Sequence, residues 1–171
     1  VIGEEGATAL GWMYTMAGVG SVAGPLIGGI ITPQTVRALN RAVLVGFILV
    51  PFAWFLVGVA VPFEVVLIGF MLRGMAGSIN WTYSTVLIQM QTPDNFLGRV
   101  VSFDFAIFTL MMALSVWLGG AAADVFGLDP RSLVLWIVGL SVLPVLFWGW
   151  TMRGAVGQAQ ASVQSSQVPG D

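Results

Sequence analysis

The sequence predicts an all-α protein that crosses a membrane several times. Three observations support this class: 57% of the residues are hydrophobic, only 8% are charged, and the apolar residues form five long segments. Soluble domains contain about 25% charged residues, so a chain this poor in charge is typical of a membrane protein. A helix of about 20 apolar residues spans the roughly 30 Å of hydrocarbon in a bilayer, and each segment reaches that length.

The five segments are expected to form one transmembrane helical bundle over residues 1–153. Their predicted bounds are 8–32, 42–61, 64–91, 99–124 and 131–152. After Arg153 the composition changes to Gln, Ser, Ala and Gly. Such a segment buries too little apolar surface to fold, so residues 154–171 are expected to be a disordered cytoplasmic tail. The chain begins with Val1 and shows no signal peptide, which indicates a fragment whose front is missing.

The first segment carries Gly20, Gly24 and Gly28 at four-residue spacing. This spacing places three small residues on one helix face, where they let a second helix approach closely in lipid. The face is therefore expected to be a helix contact. It is either a fixed packing surface or a contact that is remade when the protein changes conformation.

The third segment carries a stripe of polar and small residues on one face, since helix positions three, four and seven apart lie together. Arginine inside a spanning helix costs roughly 2.5–3.5 kcal/mol on insertion scales unless it meets a partner or water. The stripe predicts a polar cavity, and the alternative is that the arginine reaches the headgroups or holds a neighbouring carbonyl. Its members are Arg73, Gly77, Asn80, Ser84 and Gln91.

Arg73, Asn80 and Ser84 are the candidate substrate-binding residues of this stripe, and the adjacent Trp81 is the aromatic side chain expected to touch a substrate. Other tryptophans are expected at the membrane interface or in lipid, where amphipathic rings are enriched. These are Trp54, Trp117, Trp136, Trp148 and Trp150.

A short polar run separates the third and fourth segments. Pro93 has no amide N–H and restricts Thr92, so the third helix is expected to end near Gln91. The run Thr92, Pro93 and Asp94 resembles a helix start, with a hydroxyl cap, a proline at the first position and an acid in the first turn. It predicts a tight intracellular turn between two spanning helices.

The beginning of the fourth segment contains the candidate gating residues Asp94, Gly98, Arg99 and Asp104. Gly98 is expected to permit a break before the apolar helix, which Arg99 begins. A helix dipole disfavours a cation at this end, so something must offset the charge of Arg99. The possibilities are lipid phosphate, Asp104, or a carboxylate from another part of the protein; the last would make Arg99 a cytoplasmic latch. Asp104 is either a buried proton carrier or a carboxylate near the cytoplasmic end that is hydrated or pairs with Arg99.

The distribution of arginines predicts the orientation in the membrane. Arg37, Arg41, Arg99 and Arg153 fall on one side, whereas only Arg131 falls on the other. Because cytoplasmic loops carry an excess of positive residues, the amino end is expected outside and the carboxyl end in the cytoplasm.

The polar run also resembles a known family. The residues that carry the resemblance are Gln89, Pro93-Asp94 and Gly98-Arg99-Val100, followed by Ser102. The run resembles the loop between the tenth and eleventh helices of major facilitator superfamily transporters, and within that superfamily it is most similar to the bacterial enterobactin, macrolide and multidrug exporters. The resemblance implies the last five helices of a twelve-helix protein, preceded by a missing amino-terminal half. It further implies a transporter of the bacterial inner membrane that exports small hydrophobic molecules, of drug or siderophore type, by proton-coupled alternating access.

The composition argues against several other function classes. The sequence contains no cysteine, histidine or lysine. It therefore lacks the residues for a Ser–His or Cys–His pair, a histidine metal site or a Schiff base, and we expect neither an enzyme nor a cofactor. The net charge of −2 gives no reason to expect a nucleic-acid partner. A membrane scaffold that does not transport remains the alternative to a transporter.

The orientation can be tested with reporter fusions. A reporter fused after Arg153 should be active only in the cytoplasm, and one inserted near Glu64 only outside, because the arginine-rich side should stay inside. The reverse pattern of activity would overturn the assignment of both sides.

Overall fold

The computed structural model of the chain describes residues 4–59, 62–127 and 129–165. All helices in this described part are long and apolar enough to cross a membrane. The all-helical class predicted from the sequence is thus confirmed. The helices are α1 (Glu4–Ile31), α2 (Val36–Val59), α3 (Phe63–Gln91), α4 (Asp94–Phe126) and α5 (Pro130–Ser165).

The turn between α3 and α4 begins as expected. The structure confirms that α3 ends at Gln91, and Thr92 follows it in an extended conformation with φ −108° and ψ 127°. The hydroxyl cap predicted at Thr92 is wrong, because Pro93 is the N-cap and no side chain caps this end. Instead, the Pro93 carbonyl accepts hydrogen bonds from the backbone N–H groups of Phe96 and Leu97 at 2.9 and 3.1 Å.

The predicted break at Gly98 is also wrong. α4 starts at Asp94 and runs through Gly98 and Arg99 as one helix. Once Pro93 has started the helix and Asp94 has placed an acid in its first turn, a glycine within it costs only about 1 kcal/mol. Among the described residues only Gly127 has a positive φ, 57°, and it ends α4 in the left-handed conformation that glycine adopts readily.

α5 is longer than the sequence predicts. It continues to Ser165, past the expected end at Met152 and into the segment expected to be disordered. Alanine and glutamine favour helix, and no proline lies between Met152 and Pro169. Residues 166–171 of the expected tail lie outside the described residues, as does the predicted end of the second helix at Val61.

Asp129 caps the beginning of α5. Its carboxylate accepts hydrogen bonds from the Ser132 hydroxyl at 2.5 Å and from the backbone N–H groups of Arg131 and Ser132 at 3.2 and 3.3 Å. The hydrogen bond from the Ser132 hydroxyl and those from the backbone hold the pKa of Asp129 below its usual value. A charged acid immediately before the first turn also complements the helix dipole.

The bundle is organised around α3. This helix packs along α1 on one side and along α2 on another, and α2 also packs along α5. α4 touches α3 and α5 at few points. No residue of α4 whose side chain the structure describes is buried.

Glycines allow α1 and α3 to touch backbone to backbone. Gly20 and Gly24 are buried against Met71 and Met75, and a Cβ added at Gly24 would lie 2.9 Å from the Met75 carbonyl oxygen. The glycine face predicted from the sequence is therefore a helix contact. Hydroxyls add hydrogen bonds across the same interface: Ser78 Oγ donates to the Ser21 carbonyl at 2.6 Å.

The α2 contacts complete the core. Leu39 and Val43 of α2 are fully buried, and they form a cluster with Tyr83 and Leu87 of α3. Next to this cluster, Trp148 of α5 packs against Phe47 and donates its indole N–H to the Asn40 carbonyl at 3.2 Å.

The contacts also fix the helix directions. Gly74 lies against Ala17 and Tyr83 against Gly28, so α1 and α3 are parallel. Gly69 lies against Ala53, whereas the later Asn80 lies against the earlier Gly46, so α2 is antiparallel to α3.

α5 is antiparallel to α2 by the same reasoning, because Leu135 lies against Gly58 and Trp148 against Phe47. The amino ends of α1, α3 and α5 therefore share one end of the bundle. We call this the Glu64 end, and the opposite one the Arg99 end.

The packing can be tested with two glycines of α3. Gly74→Ala should lower the stability of the chain by roughly 1–3 kcal/mol, because its methyl would overlap the Ala17 backbone. Gly77→Ala is the control, since a Cβ there meets nothing within 4 Å. Thermal unfolding in detergent measures both, and equal effects would contradict the close approach of α1 and α3.

Candidate functional site

The surface of α3 has a sector that neither α1 nor α2 covers. At about 100° per residue, Arg73, Ser84 and Gly77 point between the face that meets α2 and the side chain of Trp81, which meets α4. Arg73, Gly77 and Trp81 are exposed, and Ser84 is half-buried. We call these four residues the open strip. It includes three of the four substrate-binding residues predicted from the sequence.

Asn80, the fourth predicted binding residue, points elsewhere. Its Oδ1 atom occupies the space that a Cβ would need at Gly46 of α2. This atom is buried and has no hydrogen-bond partner among the described residues. At about 100° per residue, position 80 falls on the α2 side of the strip, so Asn80 contributes to helix packing and not to the open surface.

Arg73 is held by an aromatic stack. Its guanidinium carbon lies 5.3 Å from the centre of the Trp54 ring of α2. Trp54 and Phe70 in turn form a T-shaped pair, with a centroid distance of 6.2 Å and an interplanar angle of 69°. A cation over the face of tryptophan is attracted by the ring quadrupole, by roughly 0.5–2 kcal/mol depending on its desolvation.

The position of the stack follows from helix geometry. Side chains on an α-helix tilt toward its amino end, so the Arg73 side chain extends from its Cα toward the Glu64 end. Trp54 lies five residues before Val59, the last residue of α2, or about 8 Å from that end. The guanidinium therefore lies within the length of the apolar helices that could cross a membrane, nearer to the Glu64 end.

Trp81 of α3 makes aromatic contacts with α4. Its ring lies 5.0 Å from the Phe108 ring and 6.2 Å from the Phe105 ring. All three side chains remain about half exposed, between 45% and 57%. The open strip thus includes an apolar aromatic surface about 12 Å along α3 from Arg73, at a rise of 1.5 Å per residue.

The candidate gating residues lie in the part of α4 that begins at the Arg99 end. Asp94, Gly98, Arg99 and Asp104 are all exposed on α4. The pair considered between Arg99 and Asp104 is not formed, because five residues on a helix separate side chains by about 140°. Within the described residues no carboxylate forms a salt bridge with Arg99 or with Arg73.

Sequence reasoning missed two parts of this surface. Trp54 is expected at the membrane interface or in lipid, as tryptophans are by default, but the antiparallel pairing of α2 and α3 places its ring beneath Arg73. Phe105 carried no signal at all, because only the position of α4 against Trp81 gives it a contact.

No protein-family model, curated protein or solved structure matches this chain. Among the described residues, no group of three or more acidic side chains is placed to hold a metal ion. The functional proposal is therefore based on the geometry of the open strip.

The position of Asn80 gives a stability test. Asn80→Leu should raise the free energy of unfolding by about 1 kcal/mol, because it removes a buried acceptor without a partner. Ser78→Ala is the comparison and should lower it by roughly 0.5–1.5 kcal/mol, since it removes the hydrogen bond to Ser21. Thermal unfolding in detergent compares the two variants. If Asn80→Leu lowered the free energy of unfolding as much as Ser78→Ala does, Asn80 would have a hydrogen-bond partner.

Proposed function

We propose that the chain is part of the carboxyl-terminal half of a secondary transporter of the major facilitator type. In this proposal it exports small hydrophobic molecules of drug or siderophore type across the bacterial inner membrane, coupled to protons, by alternating access. The observation that carries the proposal is the open strip, where a charged guanidinium and an aromatic surface lie uncovered on a membrane-spanning helix. Ligand sites combine apolar lining with a few polar groups in this way.

The helix arrangement supports the proposal. In a bundle of five helices of alternating direction, the amino end of the chain and its carboxyl end lie at opposite ends of the bundle. This arrangement is compatible with the proposed topology, in which the amino end is outside and the carboxyl end is cytoplasmic. The uncovered surface of α4 suits a helix that packs against the remainder of a larger transporter. The residues from Gln89 to Ser102 add the family resemblance.

The proposal gives the residues distinct roles. Arg73, Trp81 and Ser84 line the substrate path, and Asp104 is the candidate carrier of the coupling proton. Arg99, with Asp94, forms the cytoplasmic latch with a carboxylate from the preceding half of the protein. Such a latch stabilises one state of the transport cycle and releases in the other.

Transport by the complete protein tests the proposal. Cells that express it should export a hydrophobic dye in a manner that collapses when the proton gradient is removed. Arg73→Ala should reduce efflux at normal membrane expression, and Arg73→Lys should restore it in part, because an ammonium does not reproduce the planar guanidinium over Trp54.

Arg37→Ala is the matched control, since Arg37 is exposed at the Arg99 end and lies outside the open strip. Absence of gradient-dependent efflux with a panel of hydrophobic dyes would favour the scaffold alternative. Normal efflux by both Arg73 variants would remove the open strip from the mechanism.

A further inference from the structure

We propose that the open strip is a binding site for an amphiphilic anion. The carboxylate or phosphate of the ligand pairs with Arg73, and its apolar part lies over Gly77 and against Trp81. That this ligand is the transported cargo rests on the proposed function, whereas its binding to the chain does not.

The first argument is the charge of Arg73. Arginine stays protonated in proteins, and a charge inside a spanning helix is costly without a counter-ion. Within the described residues no carboxylate makes a salt bridge with this guanidinium. Glu64 of the same helix lies nine residues away, which is two and a half turns and therefore the opposite face. Asp104 lies on α4 beside the phenylalanines that touch Trp81, about 12 Å further along the bundle.

The second argument is the geometry of the aromatic stack. The guanidinium carbon lies over the Trp54 ring, 5.3 Å from its centre, and Phe70 packs against Trp54 in a T-shaped arrangement. Such a contact uses the charge of the guanidinium, and within the described residues none of the N–H groups along its edge donates a hydrogen bond. That edge carries parallel donors which match the two oxygens of a carboxylate or phosphate.

The third argument is the space beside Arg73. A Cβ at Gly77 would meet nothing within 4 Å, in contrast to Gly74, where it would overlap Ala17. Gly77 follows Arg73 by one turn, and Trp81 follows Gly77 by another. The strip therefore offers an open path of about 12 Å from the guanidinium to the aromatic surface of Trp81 and Phe108.

The charges at the end nearest to Arg73 favour an amphiphile over a small water-soluble anion. Glu4, Glu5 and Glu64 are exposed in the first turns of α1 and α3, both at the Glu64 end. Their carboxylates repel an anion that approaches from water. An amphiphile can instead reach the strip laterally from the bilayer.

Binding of single-chain amphiphiles to the chain tests the site. In micelles of the neutral dodecyl maltoside, native mass spectrometry should detect bound dodecanoate and dodecyl phosphate, and weaker binding of dodecyltrimethylammonium. Arg73→Gln should lower the affinity for both anions by about tenfold or more, the effect of losing a charge-assisted hydrogen bond. Arg37→Gln is the control and should leave the affinity unchanged.

Two results in this experiment would overturn the proposal. One is equal binding of the cationic amphiphile, and the other is unchanged anion affinity in Arg73→Gln. Exposed positions were chosen for both substitutions so that the variants fold, and circular dichroism confirms this before binding is measured.

A second pair of variants tests the path over Gly77. Gly77→Leu should abolish dodecanoate binding because its side chain occupies the path, while Gly29→Leu on α1 should not change it. A Cβ at either glycine meets nothing within 4 Å, so both variants should keep the fold. Undiminished binding in Gly77→Leu would overturn the placement of the apolar part.

The source of the anion is identified in nanodiscs that contain phosphatidylglycerol. Co-purification of this lipid with the chain but not with Arg73→Gln, undisturbed by dodecanoate, assigns a phospholipid headgroup. Its displacement by dodecanoate assigns a free amphiphile. Both support the oxyanion site, and equal lipid retention by the two chains contradicts it.

Transport separates this inference from the proposed function. Gradient-driven efflux of a hydrophobic dye without anion binding would leave the transporter proposal intact and remove the substrate class. Anion binding without any efflux would leave the binding site intact and remove the transporter proposal.

Discussion

Close approach of α3 to its neighbours is the constraint on which the rest of the structure depends. In lipid, moving apolar side chains from the hydrocarbon to a helix interface changes the free energy little. Helix association therefore relies on van der Waals contact and on interhelical hydrogen bonds, and both require that the backbones come close together. α3 meets both neighbours at positions without a Cβ: Gly20 and Gly24 of α1 receive its methionines, and Gly46 of α2 receives Asn80. These contacts fix the rotation of α3 about its axis. The sector that remains open, with Arg73 in it, is a result of that rotation.

Much of the fold follows from local sequence signals, and the exceptions have physical causes. The spacing of Gly20, Gly24 and Gly28 predicted a contact face, and the structure shows α3 against it. The spacing alone does not identify the partner, because all the described helices are apolar enough to pack there. The predicted break at Gly98 failed for a related reason: a glycine permits a break but does not require one, and Pro93 had already started the helix.

The candidate site was predictable to the extent that one helix determines it. Arg73, Ser84 and Trp81 lie where the periodicity of α3 places them. Asn80 belongs to the same stripe by spacing, yet a neighbouring helix covers it, and that cover depends on Gly46, a residue 34 positions earlier. Trp54 became part of the site in the same way. Contacts between helices decide such assignments, and a periodic pattern in one segment carries no information about them.

The contact between α2 and α5 has a consequence for biosynthesis. Asn40 and Trp148 are 108 residues apart in the chain, yet they share a hydrogen bond. At ribosomal speeds of about 5–20 residues per second, α2 waits on the order of ten seconds before α5 is synthesised. During that interval α1, α2 and α3 can already assemble, since their glycine contacts involve earlier residues. The side of α2 that includes Phe47 must meanwhile face lipid or the insertion machinery, so a ribosome that stalls within α4 would leave an assembled three-helix unit with one unfilled face.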